Sequence, residues 1–401
     1  MMSLFRPTKE GDPLEDYSYL LSPGPVNVPD SVLKAMHHPS IHHRTSEFSS
    51  ILKRLLENMK KIFRTEKRVL PVHATGRGAL EATITNLFSP GDEIASICNG
   101  RFGEMYAGIA ETFGLKVHRI CTDWERDLEP EALRASLERN PRIKAITVVH
   151  NETSTAVEND IKSVARMAHE HGAIVMVDTV SSLGGMEFCF DEWGIDVAVA
   201  ASQKALMAPT GLSFVVLSDK AWGMYEKSTL PKSYFDLSSI HTKVSAPNPE
   251  TPGSTPVAMV AALAESSRLI LEEGLENVWA RHHRISAAIK KAIEAMGLDL
   301  FPNDVAKRSD TVTAFRVPAG ITSGAVKTLM SEKFGIVVTG GLGPYREQVI
   351  RLGHMGNFHE RDGLLLISSI EAVLYMLGER RKTGLGLSSL AESLGGGSSW
   401  A

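Results

Sequence analysis

Two residues of opposite charge follow apolar stretches that are typical of buried strands. Asp178 closes the stretch AIVMVD, and Lys204 follows VAVAA in the segment ASQKALMAP. A lysine amine that is removed from water holds its proton less tightly, and the neutral amine can attack a carbonyl carbon to form a Schiff base. A nearby carboxylate could keep a pyridine nitrogen protonated, which makes such a ring an electron sink. The spacing alone leaves an ordinary alternative open, since Asp and Lys are also common in surface loops after strands.

The segment HATGRGALEA (73–82) could open a helix that binds a phosphate group. Thr75, Gly76 and Arg77 would place backbone N–H groups and a hydroxyl at the positive end of the helix dipole. The segment is neither a GxGxxG loop nor a Walker loop. Glycine-rich helix starts also occur without any ligand, so this feature by itself indicates phosphate binding only weakly.

Two further side chains could contact a planar ligand that carries a carboxylate. Phe102, in NGRFGE (99–104), follows a predicted strand and could stack on a ring. Arg351, in VIRLGHMG, could hold a carboxylate through two parallel hydrogen bonds. Each residue also has a purely structural explanation, as a core phenylalanine or as a surface arginine.

An alternation of apolar strands and amphipathic helices must position these residues. The predicted strands cover residues 93–97, 116–120, 143–149, 173–177 and 197–200, and the predicted helices cover 78–88, 105–113, 129–139 and 161–169. This alternation predicts an α/β fold with a mostly parallel sheet that is covered on both faces. Such sheets gather their chemistry at the carboxyl ends of the strands, where Asp178 and Lys204 fall.

The composition changes after Leu230. Residues 230–256 are rich in Pro, Ser and Thr and are predicted to form a loop, and long helices are predicted at 258–272 and 275–296. The predicted organisation is an N-terminal arm (1–18), a large domain (19–272), a smaller α+β domain (273–383) and a flexible Gly/Ser-rich tail (384–401).

The overall composition is that of an ordinary globular protein. Of 401 residues, 43% are hydrophobic and 22% charged, and the net charge of −4 gives no reason to expect nucleic acid or an anionic membrane as a partner. Three scattered cysteines without a CxxC pair argue against a disulfide framework or a metal site and favour a reducing, cytoplasmic location. The longest apolar stretch, 364–377, contains polar residues and predicts a core helix rather than a membrane span. The N-terminus lacks the apolar segment of a secretory signal.

Several segments match one family in order and spacing. The chain resembles the class V, fold-type I pyridoxal-phosphate aminotransferases, particularly the serine/alanine–glyoxylate (serine–pyruvate) group, over roughly residues 18–380. The segments that carry the resemblance are LLSPGPVNVP (20–29), HHRTSEF (42–48), TGRGALEA (75–82), NGRFGE (99–104), HNETSTA (150–156), VDTVSSLGGM (177–186), SQKALMAPTGL (202–212) and RLGHMG (351–356).

The resemblance implies a PLP-dependent transferase of fold type I, with a seven-stranded, mostly parallel sheet in the large domain. It implies pyridoxal 5′-phosphate as the cofactor and a homodimer whose active sites are completed across the interface. The implied reaction is a ping-pong transfer of the amino group of serine or alanine to glyoxylate or pyruvate.

The resemblance also assigns roles to individual residues. Lys204 is expected to bind the cofactor as an internal aldimine and to act as the catalytic base, and Asp178 is expected to pair with the pyridinium nitrogen. The other expected contacts are Thr75, Gly76, Arg77 and Gln203 with the phosphate, Phe102 with the ring, Thr153 with the phenolic oxygen, Thr255 with the phosphate of the other subunit, and Arg351 and Gly24 with the substrate. Arg77 stands where relatives carry His, and Asn248-Pro-Glu-Thr stands where relatives often carry a Tyr and His pair.

Four alternatives compete with this interpretation. Ureidoglycine–glyoxylate aminotransferases share a segment like YFDLSSI (234–240), and pyridoxamine–pyruvate aminotransferases carry an acidic residue where this chain has Thr75. Cysteine desulfurases need a cysteine in the C-terminal half, and none occurs after Cys189. A catalytically inactive binding protein of the same fold is disfavoured, because Asp178, Lys204 and Arg351 are all present.

Overall fold

The computed structural model describes residues 18–37, 41–126, 128–302, 307–380 and 382–395. The predicted arm, apart from residue 18, and the end of the predicted tail lie outside these residues. A seven-stranded sheet forms the centre of the larger part of the chain. Its strands are, from one edge to the other, Val69–Val72, Ser213–Leu217, Val197–Ala201, Ile174–Asp178, Ile143–Val149, Glu93–Cys98 and Lys116–Cys121. Ser213–Leu217 is antiparallel to both neighbours and the other pairs are parallel, so the predicted α/β fold with a mostly parallel sheet is confirmed.

The central strands are apolar because helices cover both faces of the sheet. In Ile143–Val149 every side chain except that of Lys144 is buried, and Ile174–Asp178 is buried throughout. β-Branched residues suit such strands, since they pack well on a pleated surface. These strands begin and end within one residue of their predicted positions.

Both predicted reactive residues lie at the carboxyl edge of this sheet. Asp178 is the last residue of its strand and pairs in register with Val149 and Val199. Lys204 lies in the turn that follows Val197–Ala201. The parallel arrangement therefore brings together two residues that are 26 positions apart in the sequence.

Several helices begin at a side chain that accepts a hydrogen bond from a free backbone N–H, as Thr45 does from Phe48 and Asp160 from Ser163. The helices of this part of the chain are Asp30–Met36, Ser46–Phe63, Gly76–Leu87, Arg101–Thr112, Pro130–Arg139, Ile161–Glu170, Asp219–Tyr225, Leu237–Val244, Val257–Glu273 and Leu275–Ala295.

The helix Leu237–Val244 lies inside the stretch 230–256, for which a loop was predicted. Asp236 caps the helix by accepting a hydrogen bond from the N–H of Ser238, and Ile240 is among the side chains buried on one face. The prediction of a continuous loop is wrong here. The Pro- and Ser-rich composition of the whole stretch favours a loop, but a cap followed by apolar residues on one face is sufficient for a short helix.

The C-terminal part forms a smaller α+β layer. Tyr19–Leu20 pairs in parallel with Ile336–Val337, so the beginning of the described chain contacts this part. Its other elements are the antiparallel strands Val312–Arg316, Val349–Gly353 and Thr339–Gly340, the short 3-10 helix Gly343–Tyr345, and the helices Ser323–Phe334, Glu360–Met376 and Leu385–Gly395. A short hairpin of Asn151–Glu152 and Val157–Glu158 follows the strand Ile143–Val149.

Residues 385–395 form a helix, where a flexible tail was predicted from residue 384. Leu390 is fully buried and Leu394 nearly so, and the helix packs against Leu275–Ala295 and Glu360–Met376. The prediction is wrong because it was based on the Gly and Ser content alone. The two leucines lie four residues apart and therefore share one face of a helix.

The two largest hydrophobic cores divide the chain in a similar way to the predicted domains. One core contains residues between Val32 and Val278, and the other contains Leu21 together with residues between Ile285 and Leu394. The boundary between domains at residues 272 and 273 stays a prediction. None of the helices in the described part of the chain is long and apolar enough to cross a bilayer.

Candidate active site

Lys204 is held at the carboxyl edge of the sheet by contact with the segment Pro23–Gly24. Its amine donates a hydrogen bond to the carbonyl of Pro23. Gly24 has a φ of +103°, and a Cβ at this position would lie only 2.7 Å from Lys204 Nζ. The backbone conformation favours a glycine here, and a larger residue would also displace the end of the lysine side chain. The structure thus brings Gly24 against Lys204, and the predicted contact of Gly24 with the substrate stays a prediction.

Burial moves the pKa values of Lys204 and Asp178 toward neutrality from opposite sides. Burial, followed by the positive charge of Arg351, lowers the pKa of Lys204 to about 8, while the charge of Asp178 opposes this shift. Burial raises the pKa of Asp178 to about 7, although its Oδ1 accepts a hydrogen bond of 2.8 Å from the N–H of Val180. The negative charge of Glu152 raises the pKa of Asp178 further. Opposite shifts in one cluster are typical of acid–base sites.

Arg351 lies on the strand Val349–Gly353 and is only 7% exposed. Its Nε donates to the carbonyl of Gly340 at 2.8 Å, and its Nη1 donates to the carbonyl of Thr153 at 3.0 Å. Burial lowers the pKa of Arg351 to about 10, a value that still leaves the guanidinium protonated at neutral pH. Arg351 is therefore a buried cation with two fixed hydrogen bonds, close enough to Lys204 for its charge to lower the lysine pKa.

The segment around Thr75 has the features of an anion cradle. Thr75 precedes the helix Gly76–Leu87, and its side chain makes no capping hydrogen bond. The N–H groups of the first helical turn are thus left without a side-chain acceptor from Thr75. Gly76 is packed so closely that a Cβ there would lie 2.6 Å from Val180 Cγ2, whereas Thr75 and Arg77 are exposed.

Two buried polar atoms near these segments have no hydrogen-bond partner among the described residues. They are Oε1 of Gln203 and Nε2 of His73. Buried polar atoms are almost always satisfied in folded proteins, so each of these is available to a polar ligand. Burial also lowers the pKa of His73, which keeps its imidazole neutral. His73 lies in the predicted HATGRG segment, although it was not singled out there.

Glu152 is a charged residue of this edge that the sequence interpretation missed. It is fully buried, and its Oε2 accepts hydrogen bonds of 3.0 Å from the N–H groups of Phe102 and Gly103. Phe102 is half-buried in the first turn of the helix Arg101–Thr112. The available signal was a single carboxylate within the otherwise uncharged stretch NETSTA, directly after a buried strand.

The sequence of this chain matches the family model for class-V aminotransferases over residues 18–348. The chain belongs to the class-V aminotransferase family. It is 36% identical to the serine–glyoxylate aminotransferase of Arabidopsis thaliana, over 94% of this chain and 97% of that relative. It is also 36% identical to the L-aspartate–glyoxylate aminotransferase of Paracoccus denitrificans, over 92% of this chain and 94% of that relative. The crystal structure of ureidoglycine–glyoxylate aminotransferase from Bacillus subtilis superposes with a TM-score of 0.89 at 30% identity, covering 94% of this chain and 98% of that one.

The enzyme is accordingly a pyridoxal-phosphate-dependent transaminase of fold type I. The residues at the carboxyl edge fit this cofactor. A buried amine with a lowered pKa suits its aldehyde, a buried carboxylate suits its ring nitrogen, and the uncapped helix start and the unpartnered Gln203 side chain suit its phosphate. Among the described residues, no group of three or more His, Cys, Asp or Glu side chains is arranged to hold a metal ion.

Thr255 lies in the loop that precedes the helix Val257–Glu273. Its hydroxyl pairs with that of Thr251. The carbonyl of Thr251 accepts a hydrogen bond of 2.7 Å from Arg44, which anchors this loop to the segment that precedes the helix Ser46–Phe63. The predicted contact of Thr255 with a phosphate in the other subunit stays a prediction.

Proposed function

We propose that this aminotransferase moves the amino group of serine or alanine to glyoxylate or pyruvate. The observation that carries the proposal is that Gly24 lies against the Lys204 amine and that the charge of Arg351 reaches the same amine. A substrate whose α-carboxylate binds Arg351 would have its Cα near Lys204 Nζ, and the backbone of Gly24 leaves little room for a large side chain. The glyoxylate-dependent relatives support the choice of acceptor.

Each side chain has a distinct part in the proposed reaction. When bound, pyridoxal phosphate would supply a carbonyl for the amine and an electron sink for the substrate Cα. Lys204 Nζ would hold the cofactor and, once freed, accept the proton from the substrate Cα; its lowered pKa leaves a substantial neutral fraction at physiological pH. Asp178 would retain the proton on the ring nitrogen, and that positive charge would in turn lower the carboxylate pKa.

The remaining predicted residues would hold the cofactor in place. Phe102 would cover one face of the ring, and the buried Thr153 would lie near the phenolic oxygen. Thr75, Gly76, Arg77 and Gln203 would bind the phosphate.

We also propose that the active form is a cytoplasmic homodimer, in which Thr255 contacts the phosphate of the neighbouring site. The support is the family resemblance of the loop that contains Thr255. Sedimentation of the purified enzyme tests the dimer, and the dependence of cofactor affinity on Thr255→Ala tests the contact. A monomer with full cofactor affinity would contradict both.

Visible absorption of the purified enzyme tests the proposed substrates. We expect a yellow band that bleaches on addition of L-serine or L-alanine and returns with glyoxylate or pyruvate. L-Aspartate and ureidoglycine, tested in parallel, are expected to bleach the band more slowly. A faster response to either of these would replace the proposed donor, and a protein that stays colourless with pyridoxal phosphate would contradict the reaction altogether.

A further inference from the structure

Four hydrogen-bond donors converge on the carboxylate of Glu152. Oε2 accepts from the N–H groups of Phe102 and Gly103, and Oε1 accepts from the N–H and the hydroxyl of Ser154 at 3.0 and 2.5 Å. The Ser154 oxygen itself accepts a hydrogen bond of 2.9 Å from the N–H of Arg101, so its proton is directed to Glu152. Burial raises the pKa of Glu152, and these four hydrogen bonds to the carboxylate oppose that shift. A buried charge is tolerated only with such pairing.

These contacts fix the beginning of the helix that carries Phe102. Three successive N–H groups, from Arg101 to Gly103, are bound directly by Glu152 or through Ser154. The preceding Gly100 packs closely against the same residues, since a Cβ there would lie 2.6 Å from Ser154 Oγ. The position of the Phe102 ring is therefore coupled to the Glu152 side chain.

Thr153, the residue next to Glu152, contacts the predicted substrate clamp Arg351. The carbonyl of Thr153 accepts the hydrogen bond from Arg351 Nη1. A negative charge on Glu152 would raise the pKa values of both Asp178 and Arg351. Two consecutive residues of one short hairpin thus connect the ring-stacking residue, the substrate clamp and the acid–base cluster.

We propose that Glu152 is a positioning residue of the transamination reaction, which fixes the helix start that carries Phe102 and the hairpin residue Thr153 that holds Arg351. The inference rests on the proposed roles of those three residues. It assigns to Glu152 no contact with the substrate or with the cofactor. Glu152 would influence the reaction by fixing the start of the helix Arg101–Thr112 and, when ionised, by its charge.

The variant Glu152→Gln tests this role. Its amide NH₂ would face a donor in place of one oxygen, and any negative charge of the carboxyl group would be lost. We expect the midpoint of the pH titration of the visible band, measured without substrate, to move to lower pH, because losing a negative charge disfavours a protonated chromophore. We expect kcat to fall by about 10²-fold with a smaller change in KM, as for a misplaced catalytic group.

Two matched variants separate positioning from general damage. Glu104→Gln removes a negative charge from the first turn of the helix that carries Phe102. The Glu104 side chain is 37% exposed, and its Oε2 lies 4.0 Å from Arg101 Nη1. This variant is expected to leave the midpoint of the titration unchanged. Glu152→Asp keeps the charge with a shorter side chain, and is expected to restore the wild-type midpoint while kcat stays reduced. If Glu152→Gln does not fold, as judged by circular dichroism, Ser154→Ala removes one donor with the charge retained and is expected to lower kcat without moving the midpoint.

An unchanged midpoint and kcat in Glu152→Gln would overturn the inference, as would an unchanged kcat in Ser154→Ala if that variant has to be used. The failure of the proposed function would look different. A wild-type enzyme that shows the yellow band but accepts none of the four proposed substrates would contradict the proposed function, and the comparison of titration midpoints would still be informative.

Discussion

The carboxyl and amino edges of the seven-stranded sheet differ in whether their charged side chains form ion pairs. At the carboxyl edge, Lys204 and Asp178 are surrounded by protein without a direct ion pair between them among the described contacts. At the amino edge, Asp92 lies 2.5 Å from Lys144, and Glu93 lies 2.5 Å from Arg142. The ion pairs lie at the starts of Glu93–Cys98 and Ile143–Val149, and the charges without a direct pair lie at or after the ends of Ile174–Asp178 and Val197–Ala201.

This difference moves the pKa values in opposite directions. At the carboxyl edge, burial brings Asp178 to about 7 and Lys204 to about 8. At the amino edge, the hydrogen bond from His118, with further contributions from Lys116 and Arg142, lowers the pKa of Glu93 to about 2. Burial without pairing leaves groups that exchange protons near neutral pH, whereas pairing keeps a charge permanently in place.

A large cavity at an edge of the sheet does not by itself mark the acid–base residues. A cavity of about 460 Å³ lies at the amino edge, lined in part by Asp92, Lys144, His171 and Lys220. Two of these side chains neutralise each other in an ion pair, and Lys220 donates to the carbonyl of Ala173. Chemistry follows the electrostatics of an edge rather than the size of its cavity.

The largest effect is expected for Lys204→Ala. Turnover should fall by at least about 10²- to 10⁴-fold, because the variant loses its general base and the covalent attachment of the cofactor. Lys144→Ala, which removes a lysine from the amino edge, is the matched control and should retain full turnover. Steady-state kinetics decide the matter, and comparable losses in both variants would abolish the distinction between the edges.

Arg351→Ala is expected to have the next largest effect. KM should rise about 10- to 100-fold for every α-carboxylate substrate, which corresponds to roughly 1.5–3 kcal/mol for a lost charged hydrogen bond. Arg351→Lys should recover only part of this loss, since an ammonium cannot form two parallel hydrogen bonds. Arg142→Ala at the amino edge serves as the control. A rise in KM for one substrate alone would show that Arg351 is not the common clamp.

The rate at which the enzyme without cofactor takes up pyridoxal phosphate should depend on pH. Only the neutral amine of Lys204 attacks the aldehyde, so the rate should rise with pH through a midpoint of about 8. Stopped-flow absorbance across a pH series measures it. A midpoint near the ordinary lysine value of 10.5 would mean that burial does not depress this pKa.

Glu93→Gln is expected to have the smallest effect, and on stability alone. The folded-state pKa of about 2 lies below the ordinary value of 4.5, so the ionised carboxylate stabilises the fold above pH 4.5 and loses this effect as the pH falls toward 2. The variant should therefore unfold at lower urea concentration at neutral pH, and its difference from the wild type should shrink in acid. Turnover should be unchanged; a loss of activity would link the two edges.

Local sequence was sufficient where neighbours in the chain decide the structure. The strand Ile143–Val149 was predicted to the residue, because a run of β-branched side chains suits a buried strand in most surroundings. The positions of Asp178 and Lys204 at the ends of such strands followed from the same pattern. The helix Leu385–Gly395 was missed, because its stability depends on a surface supplied by two other helices.

The sequence by itself determined the alternation of strands and helices, the edge at which the chemistry lies and the family to which the chain belongs. Only the tertiary structure decided that Glu152 binds the helix start 50 residues before it, that Arg351 is fixed by Thr153, and that Gly24 contacts Lys204. The physical reason is that strand propensity acts between neighbours in the chain. Desolvation and hydrogen bonding of buried charges depend on residues that meet only when the chain is folded.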